Sequence, residues 1–196
     1  MSMRPRAIIL AAGASRRMGR PKALLPLGEG TFLSRIAQTL REAGIDDVML
    51  VLGADAEPIL RSAAWFDGTI VVHRGWEEGQ LSSLLAGLNA APGAQGPVLV
   101  WPVDRPFASA ALIGALLSAF DRTGKGIVVP LAGGRRGHPI LFGPAMLPAL
   151  RAASPLVGAR EVLHRHPELI EEVPTEEVDI LRNIDTPEDL AVVGSR

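Results

Sequence analysis

The chain has 196 residues and a net charge of −1 at pH 7, with 47% hydrophobic residues and no cysteine. This length suits one domain with a substantial core, and the near-neutral charge argues against a nucleic-acid-binding protein. The lack of cysteine excludes disulfides, thiol nucleophiles and thiolate metal sites. No apolar run reaches the roughly 18 residues of a membrane-spanning helix, and the first residues lack a signal-peptide core, so we expect a cytoplasmic protein that does not bind membranes.

The first predicted strand, at residues 7–10, is apolar and partly β-branched, which indicates burial on both faces. It leads into a loop with Gly13 and Gly19, where small residues let the backbone approach a ligand. The same loop contains four cations, which match a polyanion: Arg16, Arg17, Arg20 and Lys22. The glycine spacing fits neither the dinucleotide fingerprint nor the P-loop. The loop therefore predicts a triphosphate site of another kind, although solvation alone would also explain its charge.

Strand and helix patterns alternate along the whole chain. Apolar runs predict further strands at residues 48–52, 69–72, 98–103, 126–129 and 178–181, and a turn that leads into a strand at 135–142. Amphipathic patterns predict helices that begin at the caps Thr31 and Ser109, and others at 57–64, 79–91, 144–152, 158–166 and from 186. This alternation predicts an α/β fold, a Rossmann-like three-layer sandwich with a mostly parallel sheet. Residues 131–166 are expected to form a substrate-side excursion from it.

Candidate metal ligands lie where predicted strands end. Ligands of an open parallel sheet bind beyond the carboxyl ends of its strands, and Asp104 follows the strand at 98–103. A carboxylate there, together with substrate phosphates, suits Mg²⁺. Asp104 also fits a turn before Pro106. Asp185 is a second candidate, although it or Thr186 also fits the cap of the last helix.

Other polar residues offer weaker signals. Gly79, Ser82 and Ser83 begin a predicted helix, where the hydroxyls either bind the base or ribose or cap the helix. His138 has no Asp or Ser context for a catalytic triad.

Residues 10–22 follow the pattern Leu-Ala-Ala-Gly-x-Ser-x-Arg-Met-Gly-x-x-Lys, which resembles the nucleotidyltransferase signature of the molybdenum-cofactor enzymes. It is most similar to the cytidylyltransferases, because guanylyltransferases more usually have Leu-Ala-Gly-Gly. Further segments that resemble family motifs are Asp-Arg-Pro at 104–106, Gly-x-x-x-Ser-Leu-x-x-Gly-Leu at 79–88, Gly-His-Pro at 137–139, Gly-Ala-Arg at 158–160 and Ile-Asp-Thr-Pro at 184–187. Two positions depart from the pattern: many relatives have an uncharged residue at Arg105 and an acidic one at Leu156.

The resemblance implies one NTP-transferase domain over residues 1–196. It implies transfer of a nucleoside monophosphate from CTP to the terminal phosphate of molybdopterin, with release of pyrophosphate. Arg17, Lys22 and Asp104 would be catalytic, and Asp104 with Asp185 would hold Mg²⁺ or Mn²⁺. The nucleotide would contact Leu10, Ala11, Ala12, Gly13, Ser15, Arg17, Lys22, Gly79, Ser82 and Ser83. The acceptor would contact His138 and Arg160.

Such a reaction needs no general base, because a phosphate monoester has its second pKa at about 6 and is largely a dianion at pH 7. The alternatives are GTP as the nucleotide, a sugar phosphate or methylerythritol phosphate as the acceptor, and a nucleotide-binding protein without catalysis. The missing glycine fingerprint disfavours a Rossmann oxidoreductase. A molybdoenzyme or a maturation factor is the expected protein partner.

Overall fold

The computed structural model describes residues 4–90, 96–154 and 157–193. Within these ranges the strands are β1 (Arg6–Ala11), β2 (Pro26–Leu27), β3 (Gly30–Thr31), β4 (Asp47–Leu52), β5 (Thr69–Val72), β6 (Val98–Pro102), β7 (Ile127–Ala132), β8 (Arg135–Arg136), β9 (Ile140–Phe142) and β10 (Ile170–Pro174). The α-helices are α1 (Phe32–Glu42), α2 (Ala56–Ser62), α3 (Gln80–Ala90), α4 (Ala110–Thr123), α5 (Leu147–Ala152), α6 (Arg160–Arg165) and α7 (Pro187–Val193). No helix in the described ranges could cross a membrane.

The main sheet has the strand order β10-β7-β9-β6-β1-β4-β5, and β8 pairs with β7 outside this path. Strand β9 is antiparallel to both of its neighbours, and β8 is antiparallel to β7. The remaining pairs are parallel. The predicted mostly parallel sheet is therefore confirmed, while β2 and β3 form a separate antiparallel ribbon that the sequence did not predict.

Two apolar cores cover the two faces of the sheet, because successive residues of a strand point to opposite sides. On one face Ile9 packs in a cluster with residues of α1 and α4, such as Leu33 and Ile113. On the other face Ile8 packs with residues of α3 and α5, such as Leu84. This arrangement of helices on both faces is the predicted three-layer sandwich.

Both predicted N-caps are present. The Thr31 side chain accepts from the Ser34 amide at 3.2 Å, and the Ser34 hydroxyl in turn accepts from the Thr31 amide, which completes a capping box. The Ser109 hydroxyl accepts from the Leu112 amide at 3.1 Å and donates to Glu177 at 2.6 Å. The end of the helix predicted at 79–91 lies outside the described residues, which stop at residue 90 here.

The strand predicted at residues 178–181 is wrong. Val178–Leu181 forms a 3₁₀ helix, in which the Ile180 amide donates to the Glu177 carbonyl and the Arg182 amide to the Asp179 carbonyl. Those local bonds use groups that a sheet ladder would need. Within this segment Ile180 is fully buried in the core cluster and Leu181 packs against that cluster, whereas Val178 is exposed.

In the main sheet the sequence did not reveal β10, which lies at the edge and pairs with β7. Its charged residues conceal it, since Glu171 and Glu172 give it a loop-like composition. Neighbouring arginines offset that charge: Arg122 bonds Glu171 at 3.1 Å and Arg136 bonds Glu172 at 2.7 Å. Charged edge strands of this kind also discourage pairing with other chains.

The segment predicted as an excursion, residues 131–166, is joined to the main sheet. It contains β8, β9, α5 and α6, and β9 lies inside the sheet between β6 and β7. The predicted helix at 144–152 is divided into a 3₁₀ turn, Pro144–Met146, and α5. That the whole chain is one domain stays a prediction.

Candidate active site

The candidate site lies at the carboxyl ends of β1 and β6, which are parallel neighbours in the sheet. Leu10 pairs with Pro102, and the Val103 amide donates to the Leu10 carbonyl at 3.0 Å. The basic loop after β1 and Asp104 after β6 are therefore brought to the same edge. This is where an open parallel sheet binds its ligands.

Ser15 shapes the basic loop. Its φ of 47° is in the left-handed region, and its carbonyl accepts from the amides of Met18 and Gly19 at 3.0 and 3.1 Å. Its hydroxyl accepts from the Lys22 amide at 3.1 Å. The loop therefore turns back on itself and directs Lys22 towards the carboxyl end of β6.

Four of the predicted site residues form one charged network. The Lys22 ammonium donates to Asp104 Oδ2 at 3.2 Å and to Asp185 Oδ1. Arg17 donates to Asp185 Oδ2 at 2.9 Å, and Asn183 Nδ2 donates to the same oxygen at 2.7 Å. The Lys22 side chain is only 15% exposed, so its ion pairs are less screened than pairs on the surface.

The chain places Asp185 in this network through its neighbours. The Ile184 amide donates to the Asp104 carbonyl at 3.0 Å, which fastens the late segment to the end of β6. The carboxylate of Asp189 accepts from the amides of Asp185 and Thr186, each at 2.9 Å. The Asp185 carboxylate is bound to Lys22, Arg17 and Asn183 instead, and not to the start of α7.

The charge of Asp185 follows from these contacts. Partial burial alone would raise its pKa, but the hydrogen bond and charge of Lys22, and then those of Arg17, outweigh burial and hold the pKa below its usual value. Asp185 is therefore ionised at pH 7, as a metal ligand must be.

The donor set fits a divalent cation that also binds phosphate. Two carboxylates converge on one ammonium. Asp104 Oδ1 and Asn183 Oδ1 are buried and have no hydrogen-bond partner among the described residues. Oxygen ligands of this kind suit Mg²⁺ or Mn²⁺. Among the described residues no group of three or more His, Asp and Glu could hold a metal ion. Nucleotide phosphates would therefore have to supply further ligands.

A cavity of about 370 Å³ lies above this network. It is lined by nine of the ten predicted nucleotide contacts: Leu10, Ala11, Ala12, Gly13, Ser15, Arg17, Lys22, Gly79 and Ser83. Other lining residues were not predicted, among them Asp55, Trp76, Glu77 and Gln80. The strand topology could have revealed Asp55, because it follows β4, the other neighbour of β1.

Ser82 is the predicted nucleotide contact that does not line the cavity. Its side chain is buried, and its hydroxyl lies 2.8 Å from the Gly79 carbonyl and 3.0 Å from Nε2 of His73. The hydroxyl donates to the carbonyls of Gly79 and Gly75, so it is not a helix cap either, since a capping hydroxyl accepts from a backbone amide.

A second cavity, of about 770 Å³, shares a wall with the first. Residues that line both cavities are Leu10, Gly79, Gln80, Pro102 and Asp104. The predicted acceptor contacts His138 and Arg160 both line the second cavity, together with Arg105, which the sequence marked only as a departure from the family pattern. The acidic position compared at Leu156 lies outside the described residues.

Residues 7–170 match the MobA-like NTP transferase domain family. The chain belongs to this family. The match covers β1, the basic loop and Asp104, whereas Asp185 lies beyond it.

Two relatives that match along most of the chain have different names. The chain is 34% identical over 195 residues to nicotine blue oxidoreductase of Paenarthrobacter nicotinovorans, covering 93% of each chain. It is also 34% identical over 199 residues to molybdenum cofactor guanylyltransferase of Rhizobium meliloti strain 1021, covering 95% of this chain and 88% of the relative.

The fold is shared with solved structures. Rv0371c of Mycobacterium tuberculosis H37Rv superposes with a TM-score of 0.85 at 26% identity, over 100% of both chains. A structure of Rv0371c in complex with manganese has a TM-score of 0.77 at 26% identity, over 97% of this chain and 98% of that chain. The predicted α/β nucleotidyltransferase fold is confirmed.

His138 of the MobA-like transferase is uncharged at pH 7. Burial lowers its pKa to about 4, and the positive charges of Arg105 and Arg160 lower it in the same direction. Its Nδ1 is buried with no partner among the described residues. The imidazole therefore offers the second cavity a neutral polar group.

His138→Gln should make the stability of the transferase less dependent on pH. Between pH 6.5 and about 4, the unfolded chain protonates His138 while the folded chain does not, so the unfolded state binds more protons. The free energy of unfolding therefore falls as the pH falls through this range, and the variant should lose that part of the slope. Urea unfolding at a series of pH values measures it. If the free energy of unfolding varied equally with pH in the wild type and in His138→Gln, the lowered pKa of His138 would be contradicted.

Gly53→Ala should narrow the first cavity. A Cβ at Gly53 would lie 2.3 Å from the Ala12 carbonyl oxygen and 2.7 Å from Cβ of Trp76, both on the cavity wall. Because backbone must move, we expect a loss of about 1–3 kcal/mol in stability and weaker nucleotide binding. Denaturant unfolding and calorimetric titration measure the two effects.

Gly114→Ala is the matched control for Gly53→Ala. A Cβ at Gly114, within α4, meets no atom within 4 Å. Alanine is the better helix former, so this variant should be unchanged or more stable by up to about 1 kcal/mol. Equal effects of the two substitutions would be inconsistent with the close approach at Gly53.

Proposed function

We propose that the protein is a nucleotidyltransferase that joins the nucleoside monophosphate of GTP to the terminal phosphate of a molybdopterin cofactor and releases pyrophosphate. The observation that carries this proposal is the Lys22–Asp104–Asp185 network beside a basic loop, at the wall between two cavities. The relative named molybdenum cofactor guanylyltransferase favours GTP. The Leu-Ala-Ala-Gly segment at 10–13 keeps CTP as the second candidate nucleotide.

In this proposal the first cavity binds the nucleotide. Arg17 and Lys22 would pair with the β- and γ-phosphates and with the departing pyrophosphate, since cations there offset the charge that develops on the leaving group. The backbone around Gly13 and the hydroxyl of Ser83 would contact the base and ribose. A divalent cation held by Asp104 and Asp185, Mg²⁺ or Mn²⁺, would neutralise phosphate charge when bound.

The second cavity would hold the acceptor. Asp104 lines both cavities, so the two substrates would meet at this residue with their reacting groups aligned. The acceptor phosphate is largely a dianion at pH 7 and attacks the α-phosphorus without a general base. His138, neutral and buried, would position the acceptor and not move a proton.

The test measures pyrophosphate release by the purified protein with Mg²⁺, molybdopterin and either GTP or CTP, with reactions lacking molybdopterin as controls. Release with GTP alone is the expected result. Release with CTP alone would instead assign cytidylyl transfer, the prediction made from the sequence. If neither nucleotide releases pyrophosphate although both bind, transfer to molybdopterin is wrong. The remaining alternatives would then be a sugar phosphate or methylerythritol phosphate as the acceptor, or nucleotide binding without catalysis.

A second candidate is oxidation–reduction, because one relative that matches along 93% of the chain is named nicotine blue oxidoreductase. Apolar residues of the second cavity, including Ile140 and Phe142, would suit the ring system of a dye. Loss of NADPH absorbance in the presence of such a dye would support this candidate. A molybdoenzyme or maturation factor as a protein partner stays a prediction.

A further inference from the structure

The second cavity contains two positive charges that no carboxylate in the described part of the chain neutralises. The ion pairs of the described residues include neither Arg105 nor Arg160. The Arg105 side chain donates from Nη1 to the Leu181 carbonyl at 3.5 Å. By contrast, Arg136 lines the same cavity but is paired with Glu172 at 2.7 Å.

The other polar groups of this cavity do not offset the two guanidiniums. Asp104 is the only carboxylate among the described lining residues, and its charge is already shared with Lys22. His138 lies close enough to both arginines for their charges to act on it, and it is neutral. The described part of the cavity therefore has an excess of positive charge that an anionic ligand would neutralise.

The backbone of Arg105 is held in place beside the reaction centre. It follows Asp104 directly, its amide donates to the Pro102 carbonyl at 3.2 Å, and its carbonyl accepts from Nε1 of Trp101 at 2.8 Å. Trp101 is fully buried, so this anchor belongs to the rigid core. A side chain that starts from such a backbone loses less entropy when it binds a ligand.

We propose that Arg105 and Arg160 form a phosphate-binding pair in the second cavity, and that Arg105 selects acceptors that present a phosphate monoester beside Asp104. Guanidinium groups match the tetrahedral oxygens of phosphate and stay charged at every physiological pH. The inference rests on the proposed function for the identity of the molecule that carries the phosphate. Phosphate binding by the two arginines follows from the charges of the cavity and does not depend on the identity of that molecule.

Two sources could supply a phosphate group here: the acceptor, or the pyrophosphate that leaves the nucleotide. These two phosphate groups would occupy different cavities. Pyrophosphate would compete with the nucleotide for Arg17 and Lys22, whereas a phosphate held by Arg105 and Arg160 should bind while the first cavity is filled.

The experiment saturates the protein with Mg²⁺ and a GTP analogue that cannot release pyrophosphate, then titrates methyl phosphate by calorimetry. The proteins compared are the wild type, Arg105→Gln, Arg160→Gln and the matched control Arg136→Gln. Because a hydrogen bond to a charged group is lost, each of the first two variants should bind methyl phosphate about tenfold or more weakly. Arg136→Gln should change binding by less than about twofold, since Glu172 already offsets Arg136.

Three outcomes would overturn the proposal: no binding to the wild type, equal binding to the wild type and Arg105→Gln, or an equally large loss in Arg136→Gln. The readout is binding without turnover, so it does not depend on nucleotidyl transfer. If the GTP analogue does not bind, the proposed function fails, and methyl phosphate is titrated into the nucleotide-free protein. There, sensitivity to Arg105→Gln but not to Lys22→Met would still locate the phosphate in the second cavity.

Discussion

Asp104→Asn is expected to lower the rate of nucleotidyl transfer by about a hundredfold to a thousandfold, the usual loss when one preorganised electrostatic group is removed from a reaction centre. Asp104 lines both cavities and binds the Lys22 ammonium at 3.2 Å, so it contributes to both substrate sites. Asparagine keeps the shape but loses the charge that a cation and Lys22 require. Initial rates of pyrophosphate release under saturating substrates measure the effect.

The control for this substitution is Asp121→Asn, which removes an exposed carboxylate from α4. It should leave the rate within about twofold of the wild type, because surface charges far from a site contribute little. Urea unfolding should show that Asp104→Asn still folds cooperatively. A rate near that of the wild type in folded Asp104→Asn would contradict the assignment of Asp104.

Lys22→Met is expected to change nucleotide binding and metal binding in opposite directions. Nucleotide should bind about tenfold to a hundredfold more weakly, because a charge-assisted contact to phosphate is lost. Mn²⁺ should bind more tightly in the absence of nucleotide, because Asp104 and Asp185 no longer share an ammonium. Calorimetry with nucleotide and the electron paramagnetic resonance signal of free Mn²⁺ measure the two affinities.

Thermal unfolding provides a third measurement on Lys22→Met. Removing one partner of a partly buried ion network leaves two carboxylates near each other, so the variant should be less stable than the wild type. Mn²⁺ should then raise its Tm more than it raises that of the wild type, since a ligand that binds the folded state stabilises it. Lys125→Met, at a half-buried lysine that bonds the Glu168 carbonyl, is the control. Weaker Mn²⁺ binding in Lys22→Met would contradict this interpretation of the network.

The sequence was informative where local chemistry determines structure. The caps Thr31 and Ser109 lie where their side chains predicted helix starts, because an N-cap acts within one turn of the chain. The buried strands β1, β4 and β6 were predicted within a few residues, because each is a continuous apolar run. The parallel sheet followed from their alternation with helices.

Prediction failed where contacts between distant residues decide the structure. The sequence of β10 is too polar to predict a strand. Its glutamates are accommodated at the sheet edge because Arg122 and Arg136, which are distant in sequence, pair with them. Antiparallel β9 lies between two parallel strands, an order that local patterns do not encode.

The candidate site was predictable as a set of residues but not as a network. Motif positions named Lys22, Asp104 and Asp185 as separate contacts to phosphate and metal. Their mutual hydrogen bonds depend on strand order and on the Ile184–Asp104 backbone contact. The sequence named Arg160 as an acceptor contact and Arg105 only as a departure from the family pattern. That both line one cavity depends on the position of α6, which local patterns do not encode.

The contact between Ile184 and Asp104 also affects the order in which the site can form. Ribosomes release the amino-terminal part of a chain first, so the basic loop and Asp104 emerge well before Asp185. Until the segment from Asn183 to Asp185 arrives, Lys22 has one carboxylate partner in place of two. Assembly of the charged centre is thus delayed until synthesis has passed residue 185, and a chain interrupted before that point would have the sheet strands of the site but not its second carboxylate.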